Sequence, residues 1–386
     1  MATVYIGIGM VKTGTTALQT FMRENEEVMK KQGYCYPFLD LGINKKYDNK
    51  NAHFLVYRSE AEDRETRKAE EKAVRDHAYE QLKCMAEKYP NIVLSEELIW
   101  HRSNGNPNFW NRLGPNFAKI GCDVKVIVYL RRQDLLIQSL YNQSVKRLPL
   151  TSLTFEECIK GTFFDYMPLD YAEHLKKIAE GIGRENLIVR VYERGQFVKG
   201  DLYADFAGSI GLELTEEFTK NNIVSNDALN GNFLEIKRWL NEIPEYTQGS
   251  DFIWRPICRA SEQKGNQKTG MFTYEEQKAY VDRFAESNAT VAREFLGRED
   301  GVLFAEPVKE LPVWKVEPEQ MNQDIVMTMG EIFCAQELKI RKLQENYEAL
   351  KNELKELKQE NKAMYNSLIF RGYRKVRNGL GGKKEK

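Results

Sequence analysis

Residues 4–19 of the chain read Val4-Tyr5-Ile6-Gly7-Ile8-Gly9-Met10-Val11-Lys12-Thr13-Gly14-Thr15-Thr16-Ala17-Leu18-Gln19. The apolar run at its start predicts a buried strand, and the helical spacing after Gly14 predicts a helix from Thr15 to about Lys31. A strand, a glycine loop and a helix can bind phosphate, because backbone N–H groups and the positive end of the helix dipole converge on one anion. The same pattern also fits a strand-turn-helix whose glycines serve only the turn.

The glycine spacing resembles a nucleotide-binding Walker A loop with one change. In Gly9-x-x-x-x-Gly14-Thr15-Thr16, Thr15 stands where that loop has its lysine, and the lysine comes two positions before Gly14, at Lys12. A nucleotide triphosphatase also needs an Asp for Mg²⁺ at the end of a later strand, and no predicted strand ends in one. The sequence therefore disfavours a magnesium-dependent triphosphatase at this loop.

Four apolar runs predict strands that alternate with helices: 4–8, 91–94, 124–130 and 187–192. This alternation predicts an α/β fold, with a parallel sheet flanked by helices on both sides. Ligands of such sheets bind at the carboxyl ends of the strands. Lys12, Glu97 and Arg131 each come just after a strand, so we expect one edge of the sheet to gather them.

The charge balance, the apolar runs and the placement of cysteines and histidines limit the classes of protein to which the chain can belong. Lysine plus arginine and aspartate plus glutamate number 57 each, so bulk charge does not indicate a nucleic-acid partner. No apolar run approaches the roughly 20 residues of a membrane span, and Met1-Ala2-Thr3 leads straight into the first strand without a signal peptide. The six cysteines and four histidines are dispersed, which predicts reduced thiols, no metal site and a cytoplasmic protein.

The carboxyl-terminal part has a different pattern. Prolines mark a linker over 306–319, after a domain spanning 1–305. Over 320–368 a heptad repeat follows, with position a at Phe333, Ile340, Tyr347, Leu354, Asn361 and Leu368, and position d at Gln336, Leu343, Leu350, Leu357 and Met364. The many Lys and Glu residues elsewhere favour a coiled-coil homodimer over a long helix packed on its own domain.

The tail, residues 369–386, is basic with a few apolar residues. Two interpretations stay open for it. One is weak contact with an anionic membrane surface, which would make the protein peripheral to the inner face of the membrane. The other is a disordered end.

A second candidate anion site follows the strand at 124–130. That strand ends in Arg131-Arg132, and Ser139 stands eight residues after Arg131 on the next predicted helix. A cation at the strand tip and a hydroxyl two turns along the helix can bind another phosphate group.

Both anion motifs resemble those of one family. Lys12-Thr13-Gly14-Thr15-Thr16 resembles the 5′-phosphosulfate loop of sulfotransferases that use 3′-phosphoadenosine 5′-phosphosulfate (PAPS). Arg131-x-x-Asp134-x-x-x-x-Ser139-x-Tyr141 resembles their 3′-phosphate motif. The similarity covers about residues 3–305, and it is closest to bacterial, carbohydrate-type members.

The resemblance implies a P-loop fold similar to that of nucleotide kinases, PAPS as donor co-substrate, and no metal. Lys12 would contact the oxygen that bridges phosphate and sulfonate, where negative charge grows during transfer. Thr13, Gly14, Thr15 and Thr16 would hold the 5′-phosphate, and Arg131 with Ser139 would hold the 3′-phosphate. The family's carboxyl-terminal glycine-rich donor motif is not evident here. A basic flap over 255–268 could replace it, or that segment is only a solvated loop.

A hydroxyl acceptor also needs a general base. Ser95-Glu96-Glu97-Leu98 resembles the Ser-x-Glu segment of the bacterial members, which implies Glu97 as base, with Glu96 second and His101 in reserve. Either carboxylate could instead cap the next helix or pair with Arg131 or Arg132.

The leading hypothesis is therefore a sulfotransferase that acts on a glycan, glycolipid or other hydroxylated acceptor. Irregular loops at 40–58, 100–118 and 245–270 would shape the acceptor pocket. One alternative is a nucleotide-dependent kinase or hydrolase of related fold. The other is a non-catalytic scaffold whose working parts are the coiled coil and the tail.

Overall fold

The computed structural model describes residues 1–43, 49–106, 108–146, 151–220, 229, 231–243, 251–264 and 269–381. The chain forms two compact units. Met1–Thr247 and Gln267–Lys315 make up the first unit, and Gln248–Asn266 and Val316–Lys386 make up the second. The domain bounds inferred from sequence remain predictions.

The first unit contains a five-stranded sheet in which all pairings are parallel, in the order β2-β3-β1-β4-β5. Its strands are β1 (Ala2–Gly7), β2 (Tyr34–Cys35), β3 (Asn91–Ser95), β4 (Cys122–Leu130) and β5 (Leu187–Val191). The predicted parallel α/β sheet is thus confirmed, with one short additional strand. The central position of β1 places the loop after it at the middle of the carboxyl edge.

Thirteen of the helices in the described part of the chain lie outside the carboxyl-terminal extension: α1 (Thr15–Glu24), α2 (Glu26–Lys31), α3 (Arg64–Ala86), α4 (Ile99–Arg102), α5 (Phe109–Ala118), α6 (Gln133–Lys146), α7 (Phe155–Lys160), α8 (Tyr171–Ile182), α9 (Leu202–Ile210), α10 (Gly231–Leu240), α11 (Asp251–Lys264), α12 (Tyr274–Asp282) and α13 (Ala285–Leu296). The single helix predicted over 15–31 is wrong. It is two helices separated by Asn25, whose side-chain amide donates to the carbonyls of Phe21 and Thr219.

Both faces of the sheet are covered. Val126 and Val128 of β4 belong to one apolar cluster, and Ile127 and Tyr129 belong to another. Because successive side chains of a strand point to opposite faces, the two clusters are the two sides of the sheet. Helices α5 and α8 contribute to the first cluster, and α1 and α9 contribute to the second.

The second unit is built on a helix pair. Helix α14 (Pro318–Asn366) has 49 residues and begins with a proline at its first turn, a favourable position. It packs on α11, and its buried residues are Met321, Asp324, Thr328 and Ile332. A last helix, α15 (Leu368–Gly381), follows after Ser367.

The prediction of a basic flap over 255–268 is wrong for the residues that helix α11 contains. The described residues of that segment form a helix of the second unit, not a loop. Lys264 pairs there with Asp324, and Arg259 lies 3.8 Å from Glu331. Lys268, the last cation of the predicted flap, lies outside the described residues.

The long carboxyl-terminal helix is therefore present as predicted, whereas its pairing with a second chain stays a prediction. None of the helices in the ranges above is both long and apolar enough to cross a membrane.

Candidate active site

The loop between β1 and α1 has an unusual backbone. Gly9, Lys12 and Gly14 have φ angles of 33°, 69° and 75°, in the left-handed region. At Gly14 the left-handed backbone favours glycine, and a Cβ atom there would lie 2.6 Å from a methyl carbon of Leu202, which would have to move. Lys12 adopts its conformation in spite of its side chain, at a cost of about 1–2 kcal/mol. Such local strain is typical of functional loops.

The start of α1 is open to a ligand. Gly14 is the residue that precedes the helix, and no side chain caps the first N–H groups. Uncapped N–H groups at the positive end of a helix dipole favour an anion. Thr13 is fully buried and its hydroxyl donates to the carbonyl of Met10. This hydrogen bond therefore stabilises the loop. The backbone N–H groups of the loop are the donors left to bind a phosphate.

Arg131 joins the two predicted anion motifs. Its Nη1 donates a hydrogen bond to the main-chain carbonyl of Lys12 over 2.7 Å, and its guanidinium lies 5.8 Å from the ring centroid of Tyr192. The carbonyl of Arg131 accepts from the hydroxyl of Tyr171 at 2.6 Å. Burial lowers the pKa of the Arg131 guanidinium from its ordinary value. The sheet edge thus carries a partly desolvated cation against the loop.

The side chain of the neighbouring arginine, Arg132, does not bond the loop. Arg132 is buried, and its Nε and Nη2 donate to the two carboxylate oxygens of Asp134 over 2.7 and 3.0 Å. Its Nη1 donates to the carbonyl of Glu306. Arg132 therefore stabilises the start of α6, and Arg131 is the arginine that faces the loop.

Ser139 lies on α6, two turns after Arg131, and it is half-buried. In the described part of the chain it makes no hydrogen bond with Arg131 or with the loop. The structure brings Lys12 and Arg131 into contact, and Ser139 lies on the helix that follows Arg131 without a hydrogen bond to either residue.

The two candidate carboxylates lie in different surroundings. Glu97 lies beside the loop, since its Cβ is 3.6 Å from where a Cβ of Gly9 would be. Its Oε1 accepts from Nζ of Lys50 at 2.5 Å, and its Oε2 accepts from Nε2 of Gln19 at 3.2 Å. The Glu97 side chain is 14% exposed, so a ligand at the loop can reach it.

Glu96 is fully buried. One of its oxygens lies 2.6 Å from Nδ1 of His53, and the other accepts from the N–H of Leu98. Within the described residues neither carboxylate pairs with Arg131 or Arg132. The capping role that the sequence left open therefore fits Glu96, whereas Glu97 is the partly exposed carboxylate beside the loop.

His101, the reserve base, is packed edge-on against Tyr166 with ring centroids 5.5 Å apart. Burial lowers the pKa of its imidazole to about 4. It is therefore neutral near pH 7 and a weak proton acceptor.

Lys50 and Gln19 were not found by sequence reasoning. Lys50 lies in an irregular segment without periodicity, and no local pattern connects it with a glutamate 47 residues away. Gln19 is buried on α1, and its amide bonds Ser95 as well as Glu97. A polar residue on the otherwise apolar face of an amphipathic helix was the one signal in the sequence.

Chemically, the site combines an uncapped helix start, the cations of Arg131 and Lys50, and the carboxylate of Glu97, around the loop that carries Lys12. The cations and N–H groups suit an anionic ligand, and Glu97 can accept a proton beside it. Among the described residues, no three His, Cys, Asp or Glu side chains cluster as a metal site would require.

Comparisons with known proteins are limited. No protein-family model matches the chain. A protein of Archaeoglobus fulgidus, described as uncharacterized, is 29% identical over 185 residues, which are 47% of this chain and 48% of that protein. The chain thus spans about half the length of this relative.

Among solved structures, the chain is similar to a sulfotransferase from Alicyclobacillus acidocaldarius. The TM-score is 0.41 and the sequence identity is 14%, over 78% of this chain and 97% of the other. These similarities do not assign the chain to a family.

Proposed function

We propose that this protein is a sulfotransferase that moves the sulfonate group from PAPS to a hydroxyl of a carbohydrate or glycoconjugate. The observation that carries the proposal is the contact of Arg131 with the carbonyl of Lys12. It joins two separate anion motifs, with the Arg131 guanidinium against the loop that leads into an uncapped helix start.

The donor suits such a site because it carries anionic groups at two places. Its 5′-phosphosulfate would lie at the start of α1, against the N–H groups of Gly14, Thr15 and Thr16. Its 3′-phosphate would extend toward Arg131 and Ser139. Thr15 stands where a triphosphate-binding loop has lysine, which favours this donor over ATP.

In the proposed reaction, Glu97 takes the proton of the acceptor hydroxyl as its oxygen attacks sulfur. The bond between sulfur and the bridging oxygen breaks, and the electron pair stays on the 5′-phosphate. Lys12 stabilises that developing charge. The acceptor hydroxyl would replace one of the two groups that bond Glu97, Lys50 or Gln19.

The acceptor class rests on the resemblance of Ser95-Glu96-Glu97 to carbohydrate-type sulfotransferases. The loops expected to shape the acceptor pocket lie partly outside the described residues, at 44–48, 107, 245–250 and 265–268. The contacts of Glu97 support a carboxylate base and leave the identity of the acceptor open to experiment.

The test combines donor binding and transfer. Calorimetry should show that adenosine 3′,5′-bisphosphate binds at least tenfold more tightly than adenosine 5′-monophosphate, in the presence of EDTA. Labelled sulfonate from PAPS should then appear on members of a panel of glycans and lipid-linked sugars. Turnover of ATP that requires Mg²⁺ would instead support the kinase alternative, and no nucleotide binding at all would support the scaffold.

A further inference from the structure

The last two-thirds of α14 have an exposed apolar stripe. The eight large apolar side chains at positions a and d between residues 333 and 364 are each 50–65% exposed: Phe333, Ile340, Leu343, Tyr347, Leu350, Leu354, Leu357 and Met364. Just before them, Ile332 ends the buried section that α11 covers. Within this one helix, the apolar residues up to Ile332 are buried against α11, whereas the apolar stripe after it is exposed to solvent.

We propose that two copies of this chain pair through this stripe as a parallel, in-register, two-stranded coiled coil. The stripe is about 46 Å long, at a rise of ~1.5 Å per residue. Leu343, Leu350 and Leu357 occupy three successive d positions, which suit a two-stranded coil. Burial of these large side chains in the pair offsets the ordering of two helices.

Asn361 specifies the register of a parallel pair. It stands at position a, between the apolar layers of Leu357 and Met364. In a parallel, in-register pair it faces Asn361 of the second copy, and the two amides can satisfy each other. Any other register of a parallel pair would place this amide against an apolar residue, where its hydrogen bonds are lost. An antiparallel pair that overlaps over 333–364 would place it against Gln336, so the direction of the pair is decided by the disulfide test below.

Charges beside the stripe agree with this arrangement. In a parallel pair, a g residue meets the e′ residue five positions later. Glu353 at g then lies across from Lys358 of the second copy at e, and this attraction occurs twice by symmetry. Neither of the pairs Lys339–Gln344 and Asn346–Lys351 brings like charges together.

Sedimentation equilibrium of the full chain tests the pairing. The wild type should have about twice the 44.9 kDa mass of one chain. Leu350→Asp should be a monomer, and the melting temperature of its first unit, followed by circular dichroism, should equal that of the wild type. Leu338→Asp is the matched control, because Leu338 is 64% exposed and lies off the stripe. A monomeric wild type, or equal effects of the two changes, would overturn the proposal.

Orientation has its own test. In a background with Cys84 and Cys334 changed to serine, Met364→Cys should form an interchain disulfide under mild oxidation. An antiparallel pair would hold the two introduced thiols far apart and leave the chains unlinked. Glu353→Lys should weaken the dimer, and adding Lys358→Glu should restore it.

A second inference rests on α15. Ser367, with ψ at 147°, ends α14, so α15 begins as a separate helix. Among the side chains of α15 that the structure describes, the exposed large apolar ones are Ile369, Tyr373 and Val376, at helical spacing. Its cations are Arg371, Arg374, Lys375 and Arg377, and the helix contains no Asp or Glu.

We infer that α15 binds the surface of an anionic bilayer, with its apolar face in the interface and its cations at the lipid headgroups. An apolar stripe opposite a purely cationic face is the chemistry of an in-plane amphipathic helix. In a parallel dimer the two α15 helices leave the coil at the same end, so both can bind one surface and strengthen attachment.

Flotation with lipid vesicles tests this inference. The full chain should float with phosphatidylglycerol vesicles and stay behind with phosphatidylcholine vesicles, and binding should weaken as salt is raised. Lys375→Glu with Arg377→Glu should abolish flotation, whereas Lys355→Glu with Lys362→Glu on α14 should not. Flotation with both lipids, or with neither, would overturn the inference, as would equal loss in the two double variants.

The dimer and membrane inferences can fail separately. Leu350→Asp should reduce flotation by about tenfold or more through lost bivalency, without abolishing it. Both inferences are also independent of the proposed sulfotransferase reaction, because neither Leu350 nor the α15 cations belong to the candidate active site.

Discussion

The guanidinium of Arg131 donates a hydrogen bond to the main-chain carbonyl of Lys12, with 2.7 Å between nitrogen and oxygen. The two residues are 119 positions apart and belong to different predicted anion motifs. The contact supports the left-handed backbone of Lys12 and places a second cation at the start of α1. The site predictions below follow from this arrangement.

Replacing Lys12 with glycine or with alanine separates its charge from its backbone. Both changes remove the ammonium, so we expect at least a 100-fold loss of sulfonate transfer in each. Glycine adopts a φ of 69° without strain, and Lys12→Gly should be more stable than Lys12→Ala by about 1 kcal/mol. Urea unfolding and turnover measure the two effects. Near-normal transfer in either variant would reject the role of the ammonium.

Arg131→Ala should weaken binding of adenosine 3′,5′-bisphosphate. The loss should be about 10–100-fold, since a hydrogen bond to a charged group contributes about 1.5–3 kcal/mol. Arg132→Ala is the control, because Arg132 pairs with Asp134 and not with the loop. It should lower stability and leave the affinity of the folded protein unchanged. The reverse pattern in calorimetry would show that the two arginines are misassigned.

Glu97→Gln should slow transfer by about 10²–10⁴-fold, because the proton acceptor is lost. Affinity for the bisphosphate should stay within twofold of the wild type. The matched change Glu96→Gln should chiefly lower stability, since Glu96 is buried against His53 and the N–H of Leu98. A stable Glu96→Gln protein that cannot catalyse transfer would identify Glu96 as the base.

Lys50 should act as a positioning residue for Glu97. Lys50→Met removes the ammonium 2.5 Å from Oε1, and we expect about a tenfold fall in kcat with little change in donor affinity. Lys50→Arg should recover part of the loss because it keeps the charge. Donor affinity that falls as much as kcat would show that Lys50 binds the donor instead.

Two buried histidines predict how stability depends on pH. Burial lowers the pKa of His101 and of His174 to about 4. The unfolded chain takes up these protons near the ordinary pKa of about 6.5, so it binds more protons than the folded protein between the two values. These histidines should therefore lower the free energy of unfolding as the pH falls from about 6.5 to 4.

Urea unfolding across that range measures the effect. The rings of His174 and Trp100 have their centroids 4.4 Å apart. His174→Phe should make the free energy of unfolding depend less steeply on pH than in the wild type. His77→Phe on α3 is a control on a surface helix and should leave the slope unchanged. Equal slopes for the wild type and the His174 variant would contradict the prediction.

Local patterns predicted much of this protein. Apolar runs identified four of the five strands, and the glycine spacing identified the loop at Gly9 and Gly14. They failed at Asn25, where one predicted helix is two, and in part at 255–268, where the basic residues suggested a flap. A helical segment was expected only around 252–260, and the helix of the structure extends from Asp251 to Lys264. There, packing against α14 outweighs the solvated appearance of the segment.

By itself, the sequence determined the strand-loop-helix, the parallel sheet and the long carboxyl-terminal helix. These features depend on backbone sterics and on the spacing of apolar residues within one element. Only the tertiary structure decided that Arg131 and not Arg132 faces Lys12, that Glu96 turns to His53, and that Lys50 holds Glu97. Those choices depend on contacts between residues that are 43 to 119 positions apart in the chain, and no local pattern records them.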